Sequence, residues 1–531
     1  MSGASPQPPL FLPSRRLAGW LFVGLAHSIA AHAATEIRAG EILHIRLTSQ
    51  VCSRSSKVGD RVTAVVLGRA GGQVDDPLAG TELSGSVVET QSVGIGIRHS
   101  RARLHIKFDA LQLPDGAQVP LRLRVVAVDN ARETVDREGT IHGIEAGDGP
   151  ASLINNRWIH VPSFTSFSLY TNVGIIAYKL VTPFFPDPEI HYAAGTEMAV
   201  LVSEPGQPAV VVGAGAVRPA VRLEREPPDD LQRYLEQLAV RTHRNGGRPA
   251  DFINLLFVGS EADLTEAFRI AGWANSRPLG LASAAHSFAA VLERRYYEGT
   301  SVSLQTFENQ PPAMVWQKGL NDQAKRHHTR VWKLPEGYRG RETWAAAATR
   351  DVAAGLRLQP VEFYHHIETD IDQERSKVVR DLVATGCVTS VSLVRRNWVP
   401  GTALNSTGDE MTTDGQAAVI ALGSCRADAA IALPSTPESH IHHGSFLDRF
   451  ARKDILTFRY DLLKANAIYG SYEIGRALWH NVHHNGIHDS IDASRRSPHP
   501  PKPAASIAGA VSPTARLHRT LHSGLSPNHS G

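Results

Sequence analysis

The sequence predicts a multidomain protein, with an all-β sandwich or barrel domain, then an α+β domain, a C-terminal helix and a disordered tail. Three observations support this fold class. Short alternating apolar runs fill residues 38–204, strand and helix patterns alternate over residues 251–425, and few large apolar residues follow residue 490. With 531 residues, 42% of them hydrophobic, the chain has material for roughly two to four domains of about 150 residues each.

Residues 1–33 have the organisation of an export signal. Arg15-Arg16 forms a basic start, residues 17–30 are mostly apolar, and residues 31–33 (Ala-His-Ala) form a small-residue cleavage sequence. This order predicts translocation across a membrane and cleavage near Ala33. An uncleaved membrane anchor is the alternative, although the apolar run is short for a span of about 20 residues. The predicted location is the periplasm or cell envelope, and peripheral membrane association stays open.

Residues 38–204 have the pattern of a β domain. Apolar and polar residues alternate in short runs, and turn sequences such as Pro114-Asp115-Gly116 separate the runs. Proline presets one backbone angle of such a turn, and glycine accepts a positive φ. The clearest predicted strands are residues 61–67, 81–89, 102–108, 119–128 and 198–202.

Two matching phrases occur in this domain, Ala-Gly-Thr-Glu-Leu at residues 79–83 and Ala-Gly-Thr-Glu-Met at residues 194–198. Together with Ser-Ser-Lys-Val-Gly-Asp at residues 55–60, they resemble the periplasmic β-barrel domain of TrbI-type conjugation proteins. The resemblance implies a periplasmic protein-interaction module without catalytic residues. It does not imply a channel, because the membrane-inserting helix of that family is not recognisable. Residues 169–185 occupy a comparable place, and they fit either a buried element or a surface-lying helix.

A linker and a short helix are predicted over residues 205–250. Prolines at positions 205, 208, 227 and 228 interrupt any regular element there. Apolar side chains then recur at positions i, i+3, i+4 and i+7 from Leu231 to Leu238, which predicts one short amphipathic helix.

The α+β domain follows the linker. An apolar run ends just before Ser260, and Ser260 with Asp263 three residues later is typical of a helix N-terminus. Gly386 suits the left-handed residue that commonly ends a helix. The predicted helices are 260–271, 281–295 and 370–385, and the predicted strands are 253–258, 302–307, 313–317, 327–333, 343–349, 388–394 and 416–422.

Five motifs occur in one order between residues 251 and 387. They are Asn-Leu-Leu-Phe-Val-Gly-Ser at 254–260, Ala-Gly-Trp at 271–273, Arg-His-His-Thr-Arg-Val-Trp at 326–332, Ala-Thr-Arg-Asp at 348–351 and His-Ile-Glu-Thr-Asp-Ile-Asp-Gln-Glu-Arg at 366–375. This set resembles the LssY C-terminal domain family, with Thr369 where the family often has proline. The family takes its name from a secretion-locus membrane protein, in which the domain follows a phosphatase-like membrane region. That region is not recognised here, so the resemblance implies a domain class and no reaction.

Polar residues of these motifs could form a catalytic site. Alternate residues of a strand share a face, so we expect His328, Arg330 and Trp332 on one side and His327 on the other. A hydrolase site needs a histidine that titrates near neutral pH, an arginine that stabilises an anion and, in some enzymes, a metal. The catalytic candidates are His328, Arg330, Asp351 and, from the pair His365-His366, His366.

The same residues also fit structural roles. Thr369 or Asp370 suits the N-cap of a helix, and carboxylates in a first turn interact favourably with the helix dipole by up to about 1 kcal/mol. Arg330 would then pair with a carboxylate of that turn, Asp372 or Glu374. The sequence leaves both interpretations open.

The turn Gly259-Ser260 lies between a predicted strand and a predicted helix. Backbone N–H groups at such a turn bind anions in some proteins, which makes Gly259 and Ser260 candidate ligand-binding residues. The alternative is that the turn only begins the helix, as most such turns do.

The C-terminal segment is rich in histidine. A helical extension is predicted over residues 440–488, and His480, His484 and His488 recur in it at one-turn spacing. These three are candidate ligands of a divalent metal such as zinc, nickel or copper, and an incidental histidine cluster is the alternative. Residues 490–531 offer little apolar surface to bury, so we expect them to be disordered.

Composition argues against several function classes. The chain has 55 Lys and Arg against 52 Asp and Glu, so it lacks the concentrated positive charge of a dedicated nucleic-acid-binding protein. Its three cysteines, Cys52, Cys387 and Cys425, cannot all pair and form no C-x-x-C, which argues against a disulfide scaffold and a thiolate zinc site. Signatures of zinc metalloproteases, serine hydrolases and P-loop NTPases are also absent from the sequence.

These observations favour an exported cell-envelope protein that interacts with other envelope proteins as a scaffold. The alternative is a periplasmic hydrolase that acts on phosphorylated or lipid-linked envelope material through the His/Arg/Asp set. A ligand-binding sensor is a third interpretation. No cofactor is identified, a divalent metal stays open, and the sequence fixes neither the partner nor the oligomeric state.

Overall fold

The structure is a computed structural model of the chain. It describes residues 35–71, 76, 78–94, 99–112, 118–145, 186–203, 210–212, 221–244, 247–276, 303, 305–322, 324–358, 361–425 and 455–456. All of them belong to one compact unit, Met1–Asn466. Several predictions fall outside the described residues: the export signal, the stretch 169–185, the helix 281–295, the tail 490–531 and the candidate metal ligands His480, His484 and His488.

Short strands make up the first half, as the alternating pattern predicts. They are β1 (Thr35–Ile37), β2 (Ile42–Leu47), β3 (Val51–Cys52), β4 (Arg61–Arg69), β5 (Glu82–Gln91), β6 (Arg103–Gln112), β7 (Gln118–Val128), β8 (Thr134–Val135), β9 (Thr140–His142), β10 (His191–Tyr192), β11 (Glu197–Val202) and β12 (Val210–Val212). Six of them form a closed antiparallel barrel in the order β5-β4-β2-β11-β7-β6, with β6 paired back to β5. The predicted β domain is confirmed, and the closure makes it a barrel.

Alternating side chains fill the barrel. In β6, Leu104, Ile106 and Phe108 are fully buried, whereas the residues between them are more exposed. Closure pairs the edge strands with each other, so the six strands present no free edge to another chain.

The two Ala-Gly-Thr-Glu phrases build the same kind of turn in front of a barrel strand. Gly80 (φ 86°) and Gly195 (φ 96°) both adopt the left-handed conformation that favours glycine. The glutamates that follow have different surroundings. Glu82 at the start of β5 is exposed, whereas Glu197 at the start of β11 is buried against the second domain.

The second half alternates strands with helices. Its elements are β13 (Arg222–Glu224), α1 (Asp229–Gln237), β14 (Arg241–Arg244), β15 (Arg248–Phe252), β16 (Leu255–Val258), α2 (Glu261–Ile270), β17 (Ala274–Asn275), β18 (Gln305–Thr306), β19 (Met314–Gly319), β20 (Arg326–Lys333), a 3-10 turn (Tyr338–Gly340), β21 (Thr343–Leu358), β22 (Val361–Ile367), α3 (Ile371–Val383), β23 (Val388–Arg395), β24 (Thr402–Leu404), β25 (Glu410–Thr412) and β26 (Gln416–Leu422). The main sheet has the order β13-β23-β26-β16-β21-β20-β19-β17, and β22 also pairs with β21. β16 runs parallel to β26, and β13 runs parallel to β23. The domain is α+β as predicted, and β13, α1 and β14 belong to it although they come from the predicted linker.

This sheet has an apolar core on each face. Phe257 and Val331 belong to the core beneath α2 and α3, and their strand neighbours Leu256 and Trp332 belong to the core beside α1. Because both faces of the sheet are covered, β16 consists of consecutive apolar residues and does not alternate between apolar and polar ones. A smaller sheet, β15-β14-β18, lies against β21.

Both longer helices begin at the predicted caps. The Ser260 hydroxyl accepts a hydrogen bond from the Asp263 N–H (3.1 Å), and the Asp370 carboxylate accepts one from the Asp372 N–H (3.1 Å). Gly386 follows α3 with a φ of 74°. Local sequence therefore predicts where these helices start and stop.

Within the described residues, no helix combines the length and apolar character needed to cross a bilayer.

A disulfide joins Cys387, just before β23, to Cys425, just after β26. The cysteine count argues against a disulfide scaffold, and the structure has a single bridge, between two neighbouring strands. Cys52 is buried and lies outside this bridge. The pairing of β23 with β26 brings the two cysteines together, and a count of cysteines carries no information about that pairing.

Removal of the bridge should destabilise the protein. We expect the double variant Cys387→Ser/Cys425→Ser to lose about 2–4 kcal/mol of unfolding free energy, because the bridge restricts the unfolded chain. Urea unfolding of the wild type and the double variant, with Cys52→Ala as the control for loss of a buried thiol, measures the effect. A double variant as stable as the wild type would contradict the assigned bridge.

Candidate functional site

Strand β20 carries polar side chains to both sides of the sheet. His328 and Arg330 point toward the small sheet, and His327 points the other way, toward α3 and the barrel. The strand periodicity predicts this division. Each side holds a buried polar cluster.

The first cluster centres on Asp351. Its Oδ1 accepts a hydrogen bond from His328 Nε2 (2.9 Å), and its Oδ2 accepts one from Arg326 Nε (2.9 Å). All three side chains are buried. Pairing of β20 with β21 places Arg326 directly opposite Asp351, which explains the contact. Burial alone raises the pKa of Asp351, but the neighbouring His328, His365 and Arg326 lower it well below its usual range.

Arg330 makes its hydrogen bonds on the same side of the sheet as His328. Its Nη1 donates to Asp251 Oδ2 (2.9 Å), and its Nη2 donates to the Ser303 hydroxyl (2.9 Å). Gln305 Nε2 donates to the same Asp251 oxygen (2.7 Å). Burial lowers the pKa of Arg330, and the Asp251 charge opposes that shift. The expected partners of Arg330 in the first turn of α3 are therefore replaced by Asp251 of β15.

His365 joins this cluster although the sequence favoured its neighbour. Its Nδ1 lies 3.6 Å from Asp351 Oδ2, and 23% of its side chain is exposed. Burial lowers the pKa of His365 to about 4, and the Asp351 charge only partly opposes the shift. The ring is therefore neutral at pH 7.

His366 lies outside the cluster. Its Nδ1 is 2.6 Å from Asp409 Oδ1, and its side chain is 46% exposed. The pairing of β21 with β22 shifts register between Asp351 and Ala353, and this irregularity decides which histidine faces Asp351. Of the four catalytic candidates, the structure brings together His328, Arg330 and Asp351, and it separates His366 from them.

The turn Gly259-Ser260 is a helix cap. Ser260 Oγ donates to Asp263 Oδ2 (2.6 Å) besides accepting from the Asp263 N–H, and the Glu261 N–H donates to Glu342 Oε2 (3.0 Å). Carboxylates of the protein thus occupy backbone donors that an anion would use. A Cβ at Gly259 would lie 2.8 Å from Leu422 Cβ, so close packing also explains the glycine.

Among the residues that the structure describes, no group of three or more His, Cys, Asp or Glu side chains is arranged to hold a metal ion.

The second polar cluster joins the two domains. The loop 129–133 after β7 contacts the second domain, where Lys325 Nζ donates to the Ala131 carbonyl (2.8 Å) and Asn321 Nδ2 donates to Glu133 (2.7 Å). These contacts attach the barrel to the segment between β19 and β20.

Buried charges from both domains meet beside this loop. Glu197 of β11 pairs with Lys318 (2.6 Å) and Lys377 (2.8 Å), and Asp381 of α3 pairs with the same two lysines at 3.0 and 2.6 Å. Arg46 of β2 contacts Glu197 at 2.7 Å and Asp381 at 3.3 Å. All five side chains are buried. Asp129 pairs with Arg350 (3.1 Å) and His327 (2.8 Å), and His327 also contacts Glu374 (2.6 Å). We define the interdomain seam as the side chains of these two groups: Arg46, Asp129, Glu197, Lys318, His327, Arg350, Glu374, Lys377 and Asp381.

Glu197 and Asp381 are held ionised. Burial raises the pKa of Glu197, but Lys318, Lys377 and Arg46 lower it well below its usual range. The same cations lower the pKa of Asp381 against the opposing effects of burial and of Glu197. Buried ion pairs recover their desolvation cost only in good geometry, so this arrangement favours one relative position of the two domains.

The protein combines a closed β barrel with an α+β domain that has a mixed sheet. Buried charges join the two domains. Residues 231–417 match the family model described as LssY C-terminus. This part of the chain, from α1 to the start of β26, is an LssY C-terminal domain, and the match is longer than the predicted 251–387. A search of curated proteins finds no match to the chain. The likeness of the barrel to TrbI-type domains stays a prediction.

Proposed function

We propose that this protein is exported to the cell envelope and binds other envelope proteins there, with the barrel and the LssY C-terminal domain held as one rigid unit. The interdomain seam carries the proposal. Its charges come from both domains, and those around Glu197 and Asp381 are buried against each other, so they fix the distance between two outer surfaces. A scaffold needs this property, because a partner that contacts both surfaces requires them at a constant separation.

The polar residues that the sequence marked as catalytic also support a non-catalytic role. Of the four candidates, His328, Arg330 and Asp351 are buried, and together with Arg326 they bond to one another or to Asp251. A buried network that is internally bonded specifies the packing of a domain, and it offers a substrate little reactive surface.

Two features support export. Residues 1–33 have the order of an export signal. The bridge between Cys387 and Cys425 is of a kind that persists in oxidising compartments such as the bacterial periplasm.

The location has a direct test. We expect the mature protein, recovered from envelope fractions of an expressing bacterium, to start near Ala34 and to carry an oxidised Cys387. Mass spectrometry of the N-terminal peptide and of alkylated cysteines measures both. Recovery from the cytosol with Met1 retained and Cys387 reduced would contradict export.

The binding role is tested by affinity purification of the tagged full chain from envelope extracts, with quantitative comparison of three proteins. The wild type and the control His142→Gln, which alters a partly exposed His–Asp pair at β9, should enrich the same set of partners. The seam variant Lys377→Met should lose part of that set, because it disturbs the fixed domain arrangement. No enriched set, or a set indifferent to the seam, would count against a rigid scaffold.

One observation favours a hydrolase as the second candidate. His365 is neutral and partly exposed, and it lies beside an ionised Asp351 that also contacts Arg326. In such a site His365 would take a proton from an attacking water, and Arg326 would stabilise developing negative charge. Phosphorylated or lipid-linked envelope material is the substrate class that this alternative implies.

The hydrolase alternative makes a pH prediction. Because the pKa of His365 is about 4, kcat/KM for a phosphomonoester should rise as pH increases through about 4 and stay level at neutral pH. His365→Ala should abolish turnover, and the control His366→Ala should retain it. A wild-type protein that cleaves neither a phosphomonoester nor a lipid pyrophosphate removes the alternative.

A further inference from the structure

His327 lies where the barrel, β20 and α3 meet. Its Nε2 is 2.8 Å from Asp129 Oδ2 of the barrel, and its Nδ1 is 2.6 Å from Glu374 Oε2 of α3. The imidazole is buried, and the Trp273 ring packs near it with the centroids 6.1 Å apart. One side chain therefore bridges the two domains directly.

The number of protons at this bridge follows from its geometry. An ionised carboxylate only accepts hydrogen bonds, whereas a neutral imidazole has one N–H and one lone pair. Short contacts from both ring nitrogens to Asp129 and Glu374 therefore require an imidazolium when both carboxylates are ionised. A neutral ring would turn a lone pair toward one of them.

The charges around His327 also favour the imidazolium. Burial lowers the pKa of His327, but the Glu374 and Asp129 charges outweigh burial and raise it above the ordinary value. Burial raises the pKa of Asp129, and His327 with Arg350 lowers it well below its usual range. The charged and titratable groups around the bridge are His44, Arg46, Asp129 and Glu197 of the barrel, Lys318 of β19, Arg350 of β21, and Glu374, Lys377, Arg380 and Asp381 of α3.

His44 does not compete for the proton. Burial and the nearby Arg380 lower the pKa of His44 to about 3, so this ring stays neutral across the range in which His327 titrates.

We propose that His327 is a proton-dependent latch between the barrel and the LssY C-terminal domain. The protonated ring holds Asp129 and Glu374 together, and loss of its proton breaks one of the two contacts and loosens the seam. This adds a pH response to the seam, and it holds whether or not the protein binds envelope partners.

The direction of the response is fixed by the sign of the shift. The pKa of His327 is raised when the domains are docked, above the ordinary value of about 6.5. Its contribution to docking is fully present below about pH 6.5 and is lost as pH rises through the raised value. The domains should therefore be docked at acidic and neutral pH and should separate more readily at alkaline pH.

Distance measurement between the domains tests the latch in the full chain. Nitroxide labels at Val58→Cys in the barrel region and Trp398→Cys in the second domain use side chains that are 67% and 86% exposed. Pulsed electron paramagnetic resonance should give one narrow distance at about pH 6 and a growing second population toward about pH 9.5. A distribution in the wild type that is unchanged over this range would overturn the proposal.

Two matched variants sharpen the test. Asp129→Asn has nearly the same shape, and its amide can either accept from or donate to the ring, so its narrow distance should persist at all pH values. His142→Gln, which alters a His–Asp pair of 2.8 Å away from the seam, should keep the wild-type pH profile. A wild-type-like pH profile in Asp129→Asn would refute the latch.

The protonation of the His327 ring can also be measured directly, without relying on a movement of the domains. In ¹⁵N-histidine-labelled protein, one imidazole should keep both nitrogens protonated at about pH 7.5, and its signals should shift in Asp129→Asn. If only neutral imidazoles are present at that pH, the proposal is wrong.

Discussion

Asp381→Asn is expected to lower the free energy of unfolding by about 3–5 kcal/mol. The Asp381 side chain is fully buried, and it accepts hydrogen bonds from Lys377 (2.6 Å), Trp273 Nε1 (2.9 Å) and Lys318 (3.0 Å). Asparagine preserves the volume but removes the charge, so two buried lysines lose a counter-ion. Denaturant unfolding of the full chain measures the loss.

The control for this substitution is an exposed ion pair on the same domain. Glu266→Gln breaks the Arg269–Glu266 pair on the surface of α2, and exposed pairs contribute little. If Asp381→Asn is as mild as Glu266→Gln, the seam charges are not buried in solution as the structure places them.

Asp351→Ala is expected to cost a similar amount, about 3–5 kcal/mol, because it leaves Arg326 and His328 buried without their shared carboxylate. His366→Ala should have a much smaller effect, since its pair with Asp409 is half exposed. The comparison separates two residues that the sequence placed in one site. Unfolding free energies of the two variants at neutral pH provide the measurement.

The same carboxylate should also make stability depend on pH. The pKa of Asp351 is lowered in the folded state, so its contribution is present above about pH 4 and is lost as pH falls further. Subtracting the acid unfolding curve of Asp351→Asn from that of the wild type isolates this term. Parallel curves would mean that Asp351 does not carry the charge assigned to it.

Local patterns predicted the elements that local chemistry determines. Alternation in β6, the cap at Ser260 and a cap at Thr369 or Asp370 follow from the sequence, because pleat geometry and hydrogen bonds to the first helical turn involve residues close in sequence. The structure places His365 beside Asp351 and the predicted His366 away from it, for an equally local reason. A register shift in β21 changes which side each residue faces, and no composition signal marks it.

Local sequence patterns do not predict the interdomain seam. Glu197 and Lys318 are 121 positions apart, and Arg46 and Asp381 are 335 positions apart. Each residue taken alone resembles an ordinary surface charge, and only the closed barrel and the position of α3 bring them together. The second Ala-Gly-Thr-Glu phrase supplies Glu197. Its sequence matches the first phrase, whose glutamate is exposed, so it does not indicate that Glu197 is buried.

We expect the barrel and the LssY C-terminal domain to unfold as one unit because of their shared buried charges. Differential scanning calorimetry of the full chain and of Lys377→Met tests it most directly. The wild type should show one cooperative transition, with equal calorimetric and van't Hoff enthalpies, and Lys377→Met should show two separated transitions. Two independent transitions in the wild type, unchanged by the substitution, would contradict it.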